Sequence, residues 1–275
     1  MKFAICQELY ENWDWENQCK FTAETGYNGL EVAPFTLAKS VEEITPPQRA
    51  ELRSTAERYG LEIIGLHWLL AKTEGLHLTT ADTRVRQATS EYLIELGDLC
   101  GDLGGTVMVF GSPIQRNLED GTSSEQAFDR AVEVFQAALP RIADQGVQLL
   151  MEPLTTKETN FMNTCDQAAQ LIAAVDHPNF ALHQDVKAML GEGSPLPEII
   201  HKHKRITRHF HVNDSNLLGP GMGETDYHPI FQALLESGYR GWVSVEVFDY
   251  SPGAKRIAQE SLSYMQQVLR DLGAS

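Results

Sequence analysis

Residues 147–152 read VQLLME, and the same kind of stretch returns as FALHQD at 180–185, ITRHFH at 206–211 and WVSVE at 242–246. Each stretch is mostly apolar and strand-like, and each ends on a potential metal ligand: Glu152, Asp185, His211 and Glu246. These ligands are 33, 26 and 35 residues apart, the length of a strand–loop–helix–loop unit. If such units form a parallel barrel, the four side chains converge at its C-terminal rim, where such barrels carry their active sites.

Three carboxylates and one imidazole make an oxygen-rich ligand set. Such a set predicts one bound divalent cation, with Mn²⁺ favoured and Mg²⁺, Co²⁺ and Zn²⁺ as alternatives. A single acidic residue at a strand end is more often solvated or caps a helix. The prediction of a shared metal site therefore depends on four candidates that occur in register at successive strand ends.

The same alternation of strands and helices extends to the N-terminus. Strands are predicted at residues 2–6, 29–32, 61–67 and 106–110, and helices at about 14–25, 46–59, 82–103, 123–144, 164–175, 195–203, 227–237 and 254–272. Eight alternating units without a linker predict an α/β fold, a single (β/α)₈ TIM barrel over residues 1–275. A doubly wound sheet would carry a glycine-rich loop after its first strand, but that turn reads QELYEN.

Composition narrows the classes of partner. The chain has 275 residues, which suits one barrel, and a formal net charge of −16, which disfavours nucleic acids and anionic membranes as partners. Its four cysteines are scattered and form no CxxC pair, as expected of free thiols in a reducing compartment. The apolar run at the N-terminus is too short for a signal peptide. We therefore expect a cytoplasmic protein that acts on a small molecule.

Several short motifs resemble one known superfamily. They are EPL at 152–154, HQDVKAM at 183–189, HFHV at 209–212 and VE at 245–246, with GLE at 29–31 and PGMGETDY at 220–227. Together they resemble the xylose isomerase-like TIM-barrel sugar (phosphate) isomerase/epimerase superfamily over essentially the whole chain. The ordered Glu…Asp…His…Glu set is most similar to that of the ketose 3-epimerases.

The resemblance implies a metal-dependent isomerase or epimerase of a sugar or polyol, and a homodimer or homotetramer. In such an enzyme Glu152 and Glu246 flank the substrate: one removes a proton next to a carbonyl, and the other returns it to the enediolate. The bound cation stabilises the negative charge that develops. Asp185 and His211 are then metal ligands without a part in proton transfer.

Five further side chains are predicted to contact the substrate: Glu158, His67, Trp68, Lys187 and Asp214. Glu158 matches a position that the ketose 3-epimerases use near the substrate. His67 ends the third strand and Trp68 comes next, and Lys187 would share the inward face of Asp185 if the sixth strand continued. Asp214 is either a substrate contact or the outer hydrogen-bond partner of His211.

Two departures from the ketose 3-epimerase pattern concern substrate choice. That branch has a histidine three residues after the metal-binding aspartate and an arginine six residues after the metal-binding histidine. This chain has Ala188 and Leu217 at those positions. The loss of two polar sugar contacts predicts that free fructose, psicose and tagatose are poor substrates.

Other functions remain open on the sequence alone. The same site would serve a lyase, either inosose dehydratase-like or C-glycoside-cleaving. A DNA-repair nuclease like endonuclease IV would need more histidine ligands and a basic surface, which the net charge opposes. A non-catalytic metal or sugar binder is the remaining alternative.

Overall fold

A computed structural model describes residues 1–274 of the chain. Within that range, parallel strands form one closed barrel in chain order, and β8 pairs with β1. The strands are β1 (Lys2–Cys6), β2 (Gly29–Val32), β3 (Glu62–Leu66), β4 (Val107–Phe110), β5 (Gln148–Met151), β6 (Phe180–Asp185), β7 (Thr207–Val212) and β8 (Trp242–Val245). The predicted (β/α)₈ TIM barrel is confirmed.

Helices surround the barrel and connect its strands. They are α1 (Trp15–Thr25), α2 (Pro46–Arg58), α3 (Thr83–Asp102), α4 (Ser124–Asp144), α5 (Cys165–Val175), α6 (Val186–Leu190), α7 (Leu196–His203), α8 (Tyr227–Glu236) and α9 (Ala254–Asp271). Helix α1 shows how local sequence sets the bounds. Its cap, Asp14, accepts a hydrogen bond from the amide of Asn17 at 2.8 Å, and Gly26 ends it in the left-handed region with φ 106°. Among the described residues, no helix is both long and apolar enough to cross a bilayer.

The barrel interior changes from apolar to polar along its axis. A small cluster of Val107, Leu150 and Ala181 fills part of the interior, separate from the main core between sheet and helices. Strands β6 and β7 place His183 beside His209 and Asp185 beside His211. Since alternate residues of a strand share a face, these pairs form two successive polar layers, the upper one at the C-terminal rim.

The sixth strand ends at Asp185 as predicted, so the condition under which Lys187 would share its inward face is not met. Strand β6 does not continue to Lys187, because helix α6 begins directly after Asp185. The Asp185 side chain caps this helix and accepts a hydrogen bond from the amide of Ala188 at 2.8 Å. Lys187 is therefore a residue of helix α6. Its side chain starts from the first turn of that helix and not from the inward face of a strand.

Candidate metal and acid–base site

Four side chains from consecutive strand ends meet at the C-terminal rim. Glu152 follows β5, Asp185 ends β6, His211 lies near the end of β7 and Glu246 follows β8. Each offers one ligand atom within 4.8 Å of those of the other three. All four side chains are buried. Ligand atoms about 2.0–2.6 Å from a common ion lie at such separations, so the predicted set has the spacing of a one-ion site.

Two features of the cluster fit a divalent cation. A Cβ atom at position 111 would overlap the carboxylate of Glu152, so Gly111 leaves the space which that carboxylate occupies. The Nδ1 atom of His211 is buried without a hydrogen-bond partner and lies 3.3 Å from Oε2 of Glu246. A metal ion would give this nitrogen the partner it lacks and would neutralise the adjacent carboxylates.

The two carboxylates predicted to transfer protons differ in protonation. Burial raises the pKa of Glu152 well above its usual value, and the nearby Glu246 and Asp185 raise it further. Burial also acts to raise the pKa of Glu246, but His211, His67 and Lys187 together outweigh it and lower this pKa to about 2. Glu152 therefore holds a proton readily, whereas Glu246 is ionised.

Glu31 of β2 supports the imidazole of His211 from below. Its Oε2 atom lies 3.0 Å from Nε2 of His211 and 2.8 Å from Nε2 of His209. Burial opposes ionisation of Glu31, but the two imidazoles hold its pKa well below the usual value. Glu31, rather than Asp214, is thus the outer partner of His211, and it fixes the ring with Nδ1 towards the metal cluster.

Asp214 instead organises its own loop. Its carboxylate accepts hydrogen bonds from the amide of Ser215 at 2.7 Å and the hydroxyl of Thr225 at 2.7 Å. Asp214 is also fully buried. These contacts hold the segment after β7 against the segment before α8.

Asp185 is oriented through both of its oxygen atoms. Oδ1 accepts from the amide of Ala188, and Oδ2 accepts from the side-chain amide of Asn213. Asn213 in turn accepts from the amide of Lys187 at 2.8 Å. The carboxylate is therefore held in one position before any ligand binds, which lowers the entropy cost of binding.

Arg116 anchors the strand ends on the β4–β5 side. Its guanidinium is fully buried and donates to the backbone carbonyls of Glu152 at 2.7 Å, Ser112 at 3.0 Å and Phe110 at 3.3 Å. Burial lowers the pKa of Arg116 to about 10, against the opposing effect of Glu152 and Glu158. It remains a cation at neutral pH and fixes the backbone from which Glu152 projects.

His67 and Trp68 lie on the opposite side of the rim. The Nε2 atom of His67 is 2.8 Å from Oε2 of Glu8, and both side chains are buried. The indole Nε1 of Trp68 donates to Oε1 of Glu246 at 2.9 Å. Trp68 has φ 53°, a left-handed conformation that is unfavourable for a bulky residue and is often found at functional sites. Trp68 thus orients a predicted catalytic carboxylate.

Glu158 and Lys187 form an ion pair over the same rim. The Nζ atom of Lys187 donates to Oε1 of Glu158 at 2.7 Å and lies 3.7 Å from the ring centroid of Phe248. Both charged side chains are partly accessible, with relative exposures of 12% for Lys187 and 28% for Glu158. The pair can therefore offer a cationic and an anionic group to a ligand above the metal cluster.

Some residues of the site have no assigned role in the sequence prediction: Glu8, Glu31, Asn213 and Arg116. Glu8 and Asn213 lie within two residues of the ends of β1 and β7, and Glu31 lies in β2, so the rule that polar residues at strand ends face the site could have identified them. Arg116 gives no such signal, because it lies in a loop and contacts backbone carbonyls of three separate residues.

Comparisons with known proteins identify the family and the fold of the chain. The family model described as the xylose isomerase-like TIM barrel matches residues 19–268. A ketose 3-epimerase of Arthrobacter globiformis is 28% identical over 207 residues, which cover 74% of this chain and 69% of that protein. A fructoselysine 3-epimerase of Escherichia coli O157:H7 is 20% identical over 262 residues, which cover 92% and 93% of the two chains.

Solved structures share the fold. A structure of D-psicose 3-epimerase with D-tagatose from Clostridium cellulolyticum H10 superposes with a TM-score of 0.84 at 21% identity. The match covers 98% of this chain and 99% of that one. At this level of identity the likeness concerns the barrel itself.

Proposed function

The chain belongs to the xylose isomerase-like TIM barrel family, and we propose that it is a divalent-metal-dependent epimerase or isomerase of keto-sugars. The observation that carries this proposal is the meeting of Glu152, Asp185, His211 and Glu246 at one rim, with ligand atoms within 4.8 Å of one another. The named relatives, which are epimerases, support the same reaction class.

In the proposed reaction the two glutamates divide the proton transfer. Glu246 is ionised, and the indole of Trp68 holds its Oε1 atom, so its carboxylate is placed to remove a proton next to the substrate carbonyl. Glu152 would return a proton to the other face of the resulting enediolate. As a ligand of the cation it is ionised, so it first gains that proton from the substrate or from water. A divalent cation held by the four side chains would supply electrostatic stabilisation of the negative charge on the substrate oxygens.

Neighbouring residues keep these groups in place. Arg116 and Gly111 fix the position of Glu152, and Glu31 fixes the ring of His211. Lys187 and Glu158 offer hydrogen bonds to hydroxyl groups of the sugar. The site is thus prepared before the substrate binds, which is where a large part of catalytic power arises.

The test is hydrogen exchange with solvent. The Mn²⁺-loaded protein is incubated with a panel of ketoses in D₂O, and products are followed by NMR and mass spectrometry. We expect deuterium at the carbon next to the carbonyl and a product that is an isomer of the substrate. Loss of water or of an aglycone would assign the site to a lyase. A metal-loaded protein that exchanges no hydrogen with any ketose would overturn the proposal in favour of a binding protein.

A further inference from the structure

A second cavity adjoins the candidate site. It has a volume of about 540 Å³ and lies at the rim beyond β1, β2 and β3. Its lining contains five aromatic side chains, of which one is Tyr10. We call the other four, Trp13, Phe35, Trp68 and Tyr250, the aromatic subsite. We propose that the aromatic subsite binds a second, neutral sugar ring, so that the substrate is a ketose carrying a glycosyl substituent. This inference rests on the proposed function.

Trp68 and Glu8 connect the cavity to the reacting groups. Both line the cavity, while Trp68 donates its indole N–H to Glu246 and Glu8 contacts His67. One edge of the indole thus faces the proposed base, and the same residue forms part of the cavity wall. Under this proposal the reacting carbons of the ketose lie at Glu246, and its substituent extends past Trp68 into the aromatic subsite.

The cavity is of a size for a substantial group. Pockets of about 300–1,000 Å³ bury most of a drug-sized ligand, and the cavity of about 540 Å³ falls inside this range although it lies beside the metal cluster. Glu152 and Glu246 are not part of its lining, so the cavity offers space beyond the two groups at which the reacting carbons would lie. The space therefore favours a substrate larger than one sugar ring.

The walls suit the apolar face of a sugar ring. The rings of Phe35 and Trp68 meet edge to face at 74° with centroids 6.3 Å apart, which gives the cavity a rigid corner. Trp13 packs on Tyr10 with centroids 5.4 Å apart, and Tyr250 is 37% exposed. The C–H groups on one side of a pyranose can pack on such rings, while its hydroxyls reach the polar residues between them.

The polar lining argues for a neutral substituent. Its charged members are Glu8, Glu11 and Lys72, so carboxylates outnumber the cation. The Nζ atom of Lys72 lies 4.2 Å from the centroid of Phe35 and is thereby engaged with an aromatic face. A phosphate or carboxylate would be repelled by the two glutamates, whereas hydroxyl groups can donate to them and to the amide oxygens of Gln7 and Asn12.

Binding energy from this second ring would serve the reaction at the first. Contacts made by a remote part of a substrate can hold the reacting carbons in position, and a substrate that lacks this part then reacts more slowly. The expected signature is a higher kcat/KM for glycosyl-ketoses than for the free ketose they contain.

The experiment compares fructose with three disaccharides that contain fructose: leucrose, isomaltulose and lactulose. The three linkages present the second ring in different directions from the same ketose. With Mn²⁺-loaded protein, we expect solvent hydrogen exchange or epimerisation of at least one disaccharide with kcat/KM at least tenfold above that of fructose. If fructose reacts and none of the disaccharides exceeds it, the aromatic subsite is refuted while the proposed function stands.

The variant Phe35→Ala tests the assignment to the cavity. The ratio of disaccharide to fructose kcat/KM should fall about tenfold, equivalent to about 1.4 kcal/mol. The control is Ile114→Ala, which removes an exposed apolar side chain on another part of the rim and should leave the ratio unchanged. Equal loss on both substrates in Phe35→Ala would overturn the proposal.

A binding measurement separates the two proposals if nothing reacts. Because Trp13 and Trp68 line the cavity, isomaltulose should change the tryptophan fluorescence of the Mn²⁺-loaded protein in a saturable manner. Saturable binding that Phe35→Ala weakens at least tenfold, without hydrogen exchange, would reject the proposed reaction and retain the aromatic subsite. No saturable binding and no exchange for all three disaccharides would reject the aromatic subsite, and the proposed function would fall with it only if no ketose of the panel exchanged hydrogen.

Discussion

The two halves of the barrel rim contain the same kinds of side chain but pair them differently. On the β1–β3 half, Glu8 lies 2.8 Å from His67, and Glu31 lies 2.8 Å from His209 and 3.0 Å from His211. On the β5–β8 half, three carboxylates gather around one imidazole. Acids matched to imidazoles support structure, whereas crowded acids require a proton or a metal ion to offset their repulsion.

The largest expected contrast between the halves is kinetic. We predict that Glu152→Gln and Glu246→Gln each slow exchange of substrate hydrogen with D₂O by about 10²- to 10⁴-fold, because each removes a proton-transferring carboxylate. Glu8→Gln, on the other half, should slow exchange by less than about tenfold, since Glu8 orients His67 without transferring the proton.

Metal content must be measured in each of these variants, because glutamine is a weaker ligand than glutamate. A fully loaded Glu152→Gln or Glu246→Gln variant with near-normal exchange would refute the two-glutamate mechanism. If Glu8→Gln slowed hydrogen exchange as much as Glu152→Gln and Glu246→Gln do, the predicted kinetic difference between the two halves would be wrong.

Glu31 should matter more for stability than any acid of the β5–β8 half. We predict that Glu31→Gln lowers the free energy of unfolding at pH 7 by about 3 kcal/mol, because it leaves two buried imidazoles without their ionised partner. Chemical denaturation measures this change. The matched control is Glu62→Gln, whose exposed pair with Lys2 should contribute less than about 1 kcal/mol.

Divalent cations should stabilise the protein, and more so at higher pH. Burial raises the pKa of Glu152 and Asp185. In the metal-free protein their protonation stabilises the fold below the unfolded-state pKa values, about 4.3 and 3.9, and this contribution is lost as pH rises through the folded-state values.

Metal binding needs these groups ionised, so Mn²⁺ at 100 times its Kd should add about 2.7 kcal/mol at neutral pH and less in acid. Thermal melts from pH 5 to 8, with and without Mn²⁺, measure this difference. A Mn²⁺-induced shift in Tm that is absent or constant over this range would contradict a site built from these carboxylates.

The smallest expected effect concerns the hydrogen bond between Trp68, which follows β3, and Glu246, which follows β8. Trp68→Phe keeps an aromatic ring but removes the hydrogen bond to Glu246, so kcat should fall about tenfold with metal content unchanged, in line with the loss of about 1–1.5 kcal/mol. Trp15→Phe is the matched control, because its indole donates to the carbonyl of Leu52. Equal kcat values in the two variants would show that Trp68 does not orient Glu246.

Sequence reasoning succeeded where each residue carries its own local signal. Glu152, Asp185, His211 and Glu246 each close an apolar strand, so the barrel alone brings them together. It left the direction of Lys187 open, because an aspartate that ends a strand can also cap a helix, as Asp185 does through the hydrogen bond from Ala188. The roles of the predicted residues in metal binding and catalysis remain predictions.

Pairings across the barrel were out of reach of the sequence. Glu31 and His211 are separated by 180 residues, and only the closed sheet determines that they meet. The Phe35–Trp68 corner depends in the same way on two loops after different strands. Local patterns predict which residues face the rim, whereas partner choice depends on the packing of the whole barrel.

Gly111 limits how this sequence can evolve. Every single base change that replaces a glycine yields a stop codon or an amino acid with a Cβ atom, and a Cβ at this position would overlap the carboxylate of Glu152. Drift at position 111 is therefore restricted as severely as at the acid itself, although Gly111 has no functional group. In a library of single substitutions, we expect every replacement of Gly111, alanine included, to lose activity. That result would indicate that the Glu152 carboxylate occupies the space beside position 111.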